Sequence, residues 1–494
     1  MSQQDDDPII DAPTYLGNIR YFFAAIDIDH MQQKGIDLGS YDGVKQHAVQ
    51  IYSATSQGEM PPGAGRQWSA NRCQTFLNWI VADYPMGTPP QAMNLAADLT
   101  EVAVAGRLRK DAAGLSQQEI DSLAVAFQGL MDRDPDDPNG YFAIAQIHGM
   151  PLRFCQHHND PYNPWHRVYL KMFEDALRSI PGCAEVTLPY WDMTKPMPGF
   201  FGQAPFAQYK MPRAVGMMAM GDVTQRFTQA EIDGNLADYG FGTDAAKALR
   251  SPRWGMYIRD DLLGKVGTGF QQASIQAHDS GHLSTGPTMA NQSYASFDPI
   301  FWFYHCNLDR HWWTWQRGVH GTDWATFQSL VDANRLPFWK APLNKMAPFV
   351  ETSDMAVSSD VIYDAPFALP ATFRTESMRV DANLEFSIFD DNEVLVAVEG
   401  IERLNVPGSF SVRLLADGEP VARRAFFQSD QPSQCANCRT VPVVGLQIPV
   451  LRSRIVGKKL SVSIDVPGHT ELGTGFPVSS LGKPTVTVRM PLEQ

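Results

Sequence analysis

The sequence predicts a mainly α domain, a four-helix arrangement with long loops around clustered histidines, followed by an all-β sandwich. Three observations carry that prediction. All eleven tryptophans lie before residue 340, among segments with apolar residues at helical spacing. Beyond about Tyr363 the pattern changes to short alternating runs separated by Gly, Pro and Asp-Gly turns. Eight of the twelve histidines fall in two short windows, 148–166 and 278–311, that overlap the helical segments.

Leu115 to Met131 has helical periodicity, with Ser116 as N-cap and Glu119 placed to complete a capping box. His166 to Ser179 reads as an amphipathic helix stopped by Pro181-Gly182, and His305 to Gln316 as a bulky aromatic one. Between them run loops rich in Pro, Gly and Met, such as Lys195 to Asp222, of a length that usually wraps a site. The expected strands are Leu384–Phe389, Val394–Val398, Phe410–Leu415, Lys459–Val466 and Thr485–Met490. The expected domains are 1–365 (helical), 366–380 (linker) and 381–494 (β-rich), with no repeat or low-complexity segment.

Apolar residues make up 44% of the 494 and charged residues 19%, which permits a large core. The formal charge of −14 argues against a nucleic-acid partner. No run of 18 apolar residues suggests a membrane span. The acidic start, Met1 to Pro8, lacks the basic and apolar parts of a secretory signal, so a cytoplasmic location is expected. Six cysteines are too few for a disulfide-built scaffold of this size.

The first window holds His148, His157, His158 and His166; the second holds His278, His282, His305 and His311. His278 and His282 are four apart, so one helix face presents both imidazoles to one ion. Two clusters of at least three histidines suggest two nitrogen-ligated metals. Imidazole suits Zn, Cu, Fe and Ni, and spacing alone leaves the metal open. A zinc protease would carry Glu after the first His of the pair. Here that slot is Asp279.

These windows resemble the two copper motifs of the tyrosinase family: tyrosinases, catechol oxidases and molluscan-type hemocyanins. The first motif matches His148, His157 and Trp165-His166-Arg167, followed by Tyr169, Leu170, Phe173 and Glu174. The second matches His278, His282, Asp298, Pro299, Phe301, Trp302, His305, Asn307, Asp309 and Arg310. Pro189-Tyr190-Trp191-Asp192 resembles the family's segment after the first copper site.

The resemblance implies a pair of copper ions with O2 as co-substrate. His148, His157 and His166 would hold copper A, and His278, His282 and His305 copper B. His158 competes with His157, which is preferred for its nine-residue spacing and for Cys155 two residues before it. Some relatives link such a Cys to the ligand as a thioether. His311 is expected as a packed helix residue, and Tyr304 stands where many relatives carry a further His. The implied activity is hydroxylation of monophenols to o-diphenols and their oxidation to o-quinones. The alternatives are an oxidase limited to o-diphenols or aminophenols, and an O2-binding protein of hemocyanin type. The implied partner is a small phenol such as tyrosine or a catechol; oligomeric state is left open.

Relatives commonly have Asn or Asp where this chain has Asp279, a candidate for handling the phenol proton. They often carry a Glu four residues before the first copper B histidine; here Ser274 takes that place, with Gln276 nearby, and the water that Glu holds is in doubt. Asp298 is a candidate for fixing a histidine tautomer, or caps a helix. Leu283 is placed to shape the substrate entrance. An Arg near the N-terminus stacks on a Tyr in relatives, so Arg20 is expected to meet Tyr363. The β-rich tail resembles a lid that covers the copper site with a bulky residue, with Phe426 the first candidate plug and Phe427 the second. Cys435 and Cys438 resemble a CxxC pair that some fungal relatives use in copper loading. A latent enzyme follows from that resemblance, as does a link to melanin-type pigment.

Overall fold

The computed structural model describes residues 9–87, 107–367 and 393–491, apart from 16–17, 24–26, 28–30, 32–33, 62–66, 252–253, 256–257, 261–264, 268, 320, 332–336, 341–343, 358–359, 468–475 and 478–479. The chain divides into two compact units, Met1–Thr100 and Glu101–Gln494. The first unit packs helices α1 (Tyr41–Gln46), α2 (Ala48–Ser56) and α3 (Ala70–Val81) around Trp68, Phe76 and Trp79. No described helix is long and apolar enough to cross a membrane.

The second unit holds both the histidine windows and the β-rich region. Its helices are α4 (Gln117–Met131), α5 (Tyr141–His148), α6 (Tyr162–Arg178), α7 (Gln229–Tyr239), α8 (Phe241–Arg250), α9 (Phe270–Thr285) and α10 (Ile300–Gly318). Ser116 and Glu119 close a capping box at the start of α4. α6 begins four residues before the expected start. Pro161 precedes it and Pro164 lies in its first turn, where the missing N–H costs nothing, so two prolines did not delay the helix. α10 starts just after Pro299. Asp298 accepts from the backbone N–H of Ile300 at 3.1 Å and pairs with Arg226, so it caps the helix and touches no histidine.

A buried ion-pair network clamps α6 to α10. Arg167 meets Asp309 at 2.7 Å, and Arg109 reaches both Glu174 and Asp309 at 3.2 Å. Arg109 also donates to the Tyr363 hydroxyl at 3.0 Å, across the parallel pair β1 (Arg107–Arg109) and β4 (Val361–Tyr363). Arg109 thus lies over the Tyr363 ring; the expected partner Arg20 belongs to the other unit, and that pairing stays an expectation. Arg310 lies over the Tyr190 ring at 4.0 Å and pairs with Asp192. Several motif residues therefore build the frame and do not touch the histidines. Arg109→Met should cost about 1.5–3 kcal/mol, because it removes one of the two arginines on buried Glu174, which keeps Arg107, and one of the two on Asp309, which keeps Arg167. Urea unfolding measures this, and a loss below about 1 kcal/mol would show that the network does not hold the helices.

The β region contains β5 (Glu393–Glu402), β6 (Phe410–Ala416), β7 (Glu419–Phe426), β8 (Val443–Leu451), β9 (Leu460–Asp465) and β10 (Gly482–Pro491). One sheet has the order β2 (Ile258–Asp260), β3 (Lys265–Gly267), β10, β5, β8 and the other β7, β6, β9. Val394, Val396 and Val398 of one sheet and Phe410, Val412 and Leu414 of the other share one apolar core, as a sandwich requires. β2 and β3 come from the loop before α9, and β3 runs parallel to β10. Strands β7 and β8 were not expected. Adjacent Arg423 and Arg424 hide the alternation of β7, and Gly445 and Pro449 interrupt that of β8. The expected strand Leu384–Phe389 and most of the 366–380 linker lie outside the described residues.

Candidate metal centre

Four helices and one loop bring the six predicted histidines together. α5 ends on His148, the following loop supplies His157, α6 gives His166, α9 gives His278 and His282, and α10 gives His305. All six are buried. Ring centroids lie 5.1–5.6 Å apart among His148, His157 and His166. Among His278, His282 and His305 they lie 4.5–5.3 Å apart. The two sets touch: His166 stacks on His305 at 4.7 Å, and His157 is 5.0 Å from His278.

The hydrogen bonds fix the tautomers. His166 Nδ1 donates to the Tyr162 carbonyl at 2.7 Å and His282 Nδ1 to that of Met289 at 2.8 Å. His278 Nδ1 donates to Asp279 Oδ1 at 2.8 Å. A carbonyl accepts only from N–H, so the opposite nitrogen, Nε2, keeps its lone pair. His166 Nε2 and His278 Nε2 are buried with no hydrogen-bond partner. His282 Nε2 and His305 Nε2 face each other at 3.0 Å, and those of His148 and His157 at 3.3 Å. Burial holds all six imidazoles below their ordinary pKa, His166 at about 4 and His282 at about 3. Neutral rings with unused inward lone pairs fit nitrogen-ligated metal ions, and imidazole donors fit copper.

Donor atoms within 4.8 Å of one another form the groups His148–His166–His305, His157–His166–His278, His278–His282–His305 and His148–Cys155–His157. His158 is in none of these. Its backbone takes a left-handed turn (φ 57°), and its Nε2 lies 3.2 Å from Asp279 Oδ2. Asp279 is thus held between His278 and His158. Burial raises its pKa, the largest effect, against the pull of His158.

On α9, Ser274 lies one turn before His278 on the same face, buried, its hydroxyl unpartnered. Gln276 lies two residues from His278, about 200° around the helix, with its buried side-chain oxygen unpartnered. Gln271 stands nearer the chemistry: its amide donates to the carbonyls of Asn159 and Asp160 and steadies the His157 loop. Leu283 is buried beside His282. The Tyr304 hydroxyl donates to the His278 carbonyl at 2.6 Å. Its ring lies so close to Gly281 that a Cβ there would sit 2.4 Å from the hydroxyl, which explains a glycine in mid-helix. His311 packs at 4.0 Å against Phe367, as a helix residue.

The two candidate plugs separate. Phe427 lies flat on His282 at 3.9 Å and edge-on to His278 and His157 at 5.3 and 5.4 Å. Phe426, the first choice from sequence, packs in the sandwich core against Phe410 and on the His158 ring. Phe426 ends β7, and the chain leaves the strand at Phe427, so strand alternation could not rank them.

Cys155 accepts from Gln292 and is raised in pKa by burial. The Cys438 thiol and backbone N–H donate to Cys435 Sγ, which lowers Cys435 to about 6 and raises Cys438. Arg403 donates to Cys438 Sγ at 3.2 Å. Asn437, between the two cysteines, donates to the His157 carbonyl and accepts from Asn159. Nothing in the spacing of these residues points to this tether.

The family description "Common central domain of tyrosinase" fits residues 138–265 and 259–318. Every histidine of the cluster lies in that span. Residues 138–318 carry the central domain of the tyrosinase family. Proteins similar to the chain include the tyrosinase of Aspergillus oryzae, 23% identical over 516 residues, covering 73% of the chain and 93% of that protein. Hemocyanin 2 of Megathura crenulata is 29% identical over 226 residues, 42% of the chain; the chain spans only 6% of that relative's length. Among solved structures, a tyrosinase from Burkholderia thailandensis shares the fold with a TM-score of 0.57 at 18% identity, covering 78% of the chain and all of that structure.

Proposed function

We propose that this chain is a copper-dependent phenol oxidase that hydroxylates monophenols and oxidises o-diphenols to o-quinones with O2. The observation that supports it is the Phe427 ring lying flat on His282, an apolar ring with no hydroxyl in a place that suits a phenol. An O2 carrier needs room only for a diatomic molecule. His148, His157 and His166 would hold one ion and His278, His282 and His305 the other. The donor groups also mix across the two sets, so this partition rests on the sequence motifs. Bound copper supplies the redox chemistry, passing electrons from phenol to O2.

The chain's own residues do the rest. The His282 ring offers a stacking face for the phenol. Asp279 holds His278 through Nδ1, which makes it a positioning residue. Cys155 is close enough to His148 and His157 for a donor role, or for a thioether to His157. Oxygen uptake on tyrosine and on a catechol, with and without copper, tests the activity. Copper-dependent uptake on both is expected; reversible O2 binding without turnover would overturn it. Turnover on the catechol alone would favour a diphenol or aminophenol oxidase. Ser274 favours that second reading, because it stands where relatives often have a carboxylate.

The segment Phe427–Cys438 would act as a strap that keeps the site latent. It is tied by Asp430 to Ser293 and Tyr294, by Gln431 to Arg153 and by Asn437 to the His157 loop. Cys435 and Cys438 would pass copper toward Cys155. Cys438→Ser should slow copper uptake by the copper-free protein several-fold, followed by stopped incubation and metal analysis. Unchanged uptake would remove the loading role.

A further inference from the structure

We infer that the site takes phenols carrying a second aromatic ring, with the phenol ring on His282 and the second ring on His158. The inference rests on the proposed phenol oxidation and adds a second subsite to it. The end of β7 and the strap that follows it present two consecutive aromatic residues, Phe426 and Phe427, and they meet two different imidazoles. Phe427 lies on His282 at 3.9 Å and 15°. Phe426 lies on His158 at 4.3 Å and 9°, a closer approach to parallel stacking.

His158 is outside every donor group, yet its ring is sandwiched beside the cluster, under Phe426 and next to Asp279. Its left-handed backbone is uncommon for a residue with a side chain and persists where the surroundings fix it. Asp279 lies against both rings: one carboxylate oxygen takes His278 Nδ1–H, and the other lies 3.2 Å from His158 Nε2. A single carboxylate thus orients a histidine in the cluster and neighbours the second ring. With the end of β7 and the strap lifted, the face now under Phe426 becomes a flat platform beside the phenol place. The spacing of the two platforms is the spacing of two adjacent side chains. A phenol with a second ring a few bonds away spans it, as a tyrosyl residue after an aromatic one does. Arg403, over the outer face of Phe426, belongs to the β region and would leave with it.

The test uses the full copper-loaded chain with both covering rings removed, Phe426→Ala with Phe427→Ala. N-acetyl-phenylalanyl-tyrosinamide is compared with N-acetyl-alanyl-tyrosinamide, and 4-(2-phenylethyl)phenol with 4-ethylphenol. The two-ring member of each pair should show a KM lower by roughly three- to tenfold at similar kcat, the range expected for one stacked ring. A preference in only one pair tells whether the peptide or the compact frame is the better fit, and still supports the subsite. The preference should vanish in His158→Ala and persist in His158→Phe, which keeps a ring. It should also be absent in Phe427→Ala alone, where Phe426 still covers His158. If the double variant loses its cooperative melt, the unaltered chain opened by sub-denaturing urea replaces it. KM ratios within about twofold of one, or a ratio untouched by His158→Ala, would overturn the inference. If no phenol is oxidised at all, the proposed activity fails. Calorimetric binding of N-acetyl-phenylalanyl-phenylalaninamide against its alanyl counterpart then decides the subsite by itself.

Discussion

Intact protein carrying Phe427→Ala should oxidise a catechol at least about tenfold faster than the unaltered chain at matched copper content, a change equivalent to uncovering a site blocked about nine-tenths of the time. The Phe427 ring is fully buried and faces three of the six clustered histidines. Its removal leaves a cavity over His282 of about one aromatic ring. Phe426→Ala should behave differently. That ring belongs to the sandwich core, so the variant should lose about 3–5 kcal/mol of stability and gain less activity. Oxygen uptake and thermal melts on the two variants separate the cases. Equal turnover by Phe427→Ala and the unaltered chain would rule out the strap as the cause of latency.

His166→Ala and His282→Ala should each reduce bound copper from two per chain to one or fewer and abolish oxidation. In both residues the Nδ1 proton is committed to a backbone carbonyl, which leaves Nε2 for an ion. Copper binding also stabilises the folded chain by mass action, so the rise in melting temperature on adding copper should shrink in both variants. Metal analysis decides the matter: a variant that retains two coppers shows that its histidine is not a ligand.

The six histidines were legible because two motifs place them, and two of the four helices that carry them, α6 and α10, were legible from their residue pattern. The choice of His157 over His158 was also sound in geometry, since a left-handed turn sends the second ring to Asp279. What the sequence hid depends on contacts between distant segments. Nothing local to Arg109 announces a clamp on Glu174, Asp309 and Tyr363, residues 65 to 254 positions away. Gln276 looked as near the site as Ser274, and only helical phase separates them. Phe426 and Phe427 are adjacent and chemically identical, so only the end of β7 decides which ring turns outward. Strand β7 itself was masked by Arg423 and Arg424. Their charges are spent on Asp238 and on buried Asp244 in the helical part, a use that no alternation pattern encodes.

Those arginine contacts belong to a wider seam. Lys247 meets Glu393, and Met490 and Pro491 of β10 pair with Lys265 and Val266 of β3, so the β region is stitched to the helical part at several places. A protease cut between residues 368 and 392 would therefore sever the chain without parting the pieces. The two fragments would remain a complex held by non-covalent contacts alone, and the strap would stay seated at high protein concentration. What the cut removes is the tether that keeps the local concentration of the β region high. Release of the site would then follow the law of mass action: a nicked sample should gain turnover per molecule on dilution, and lose it again when concentrated.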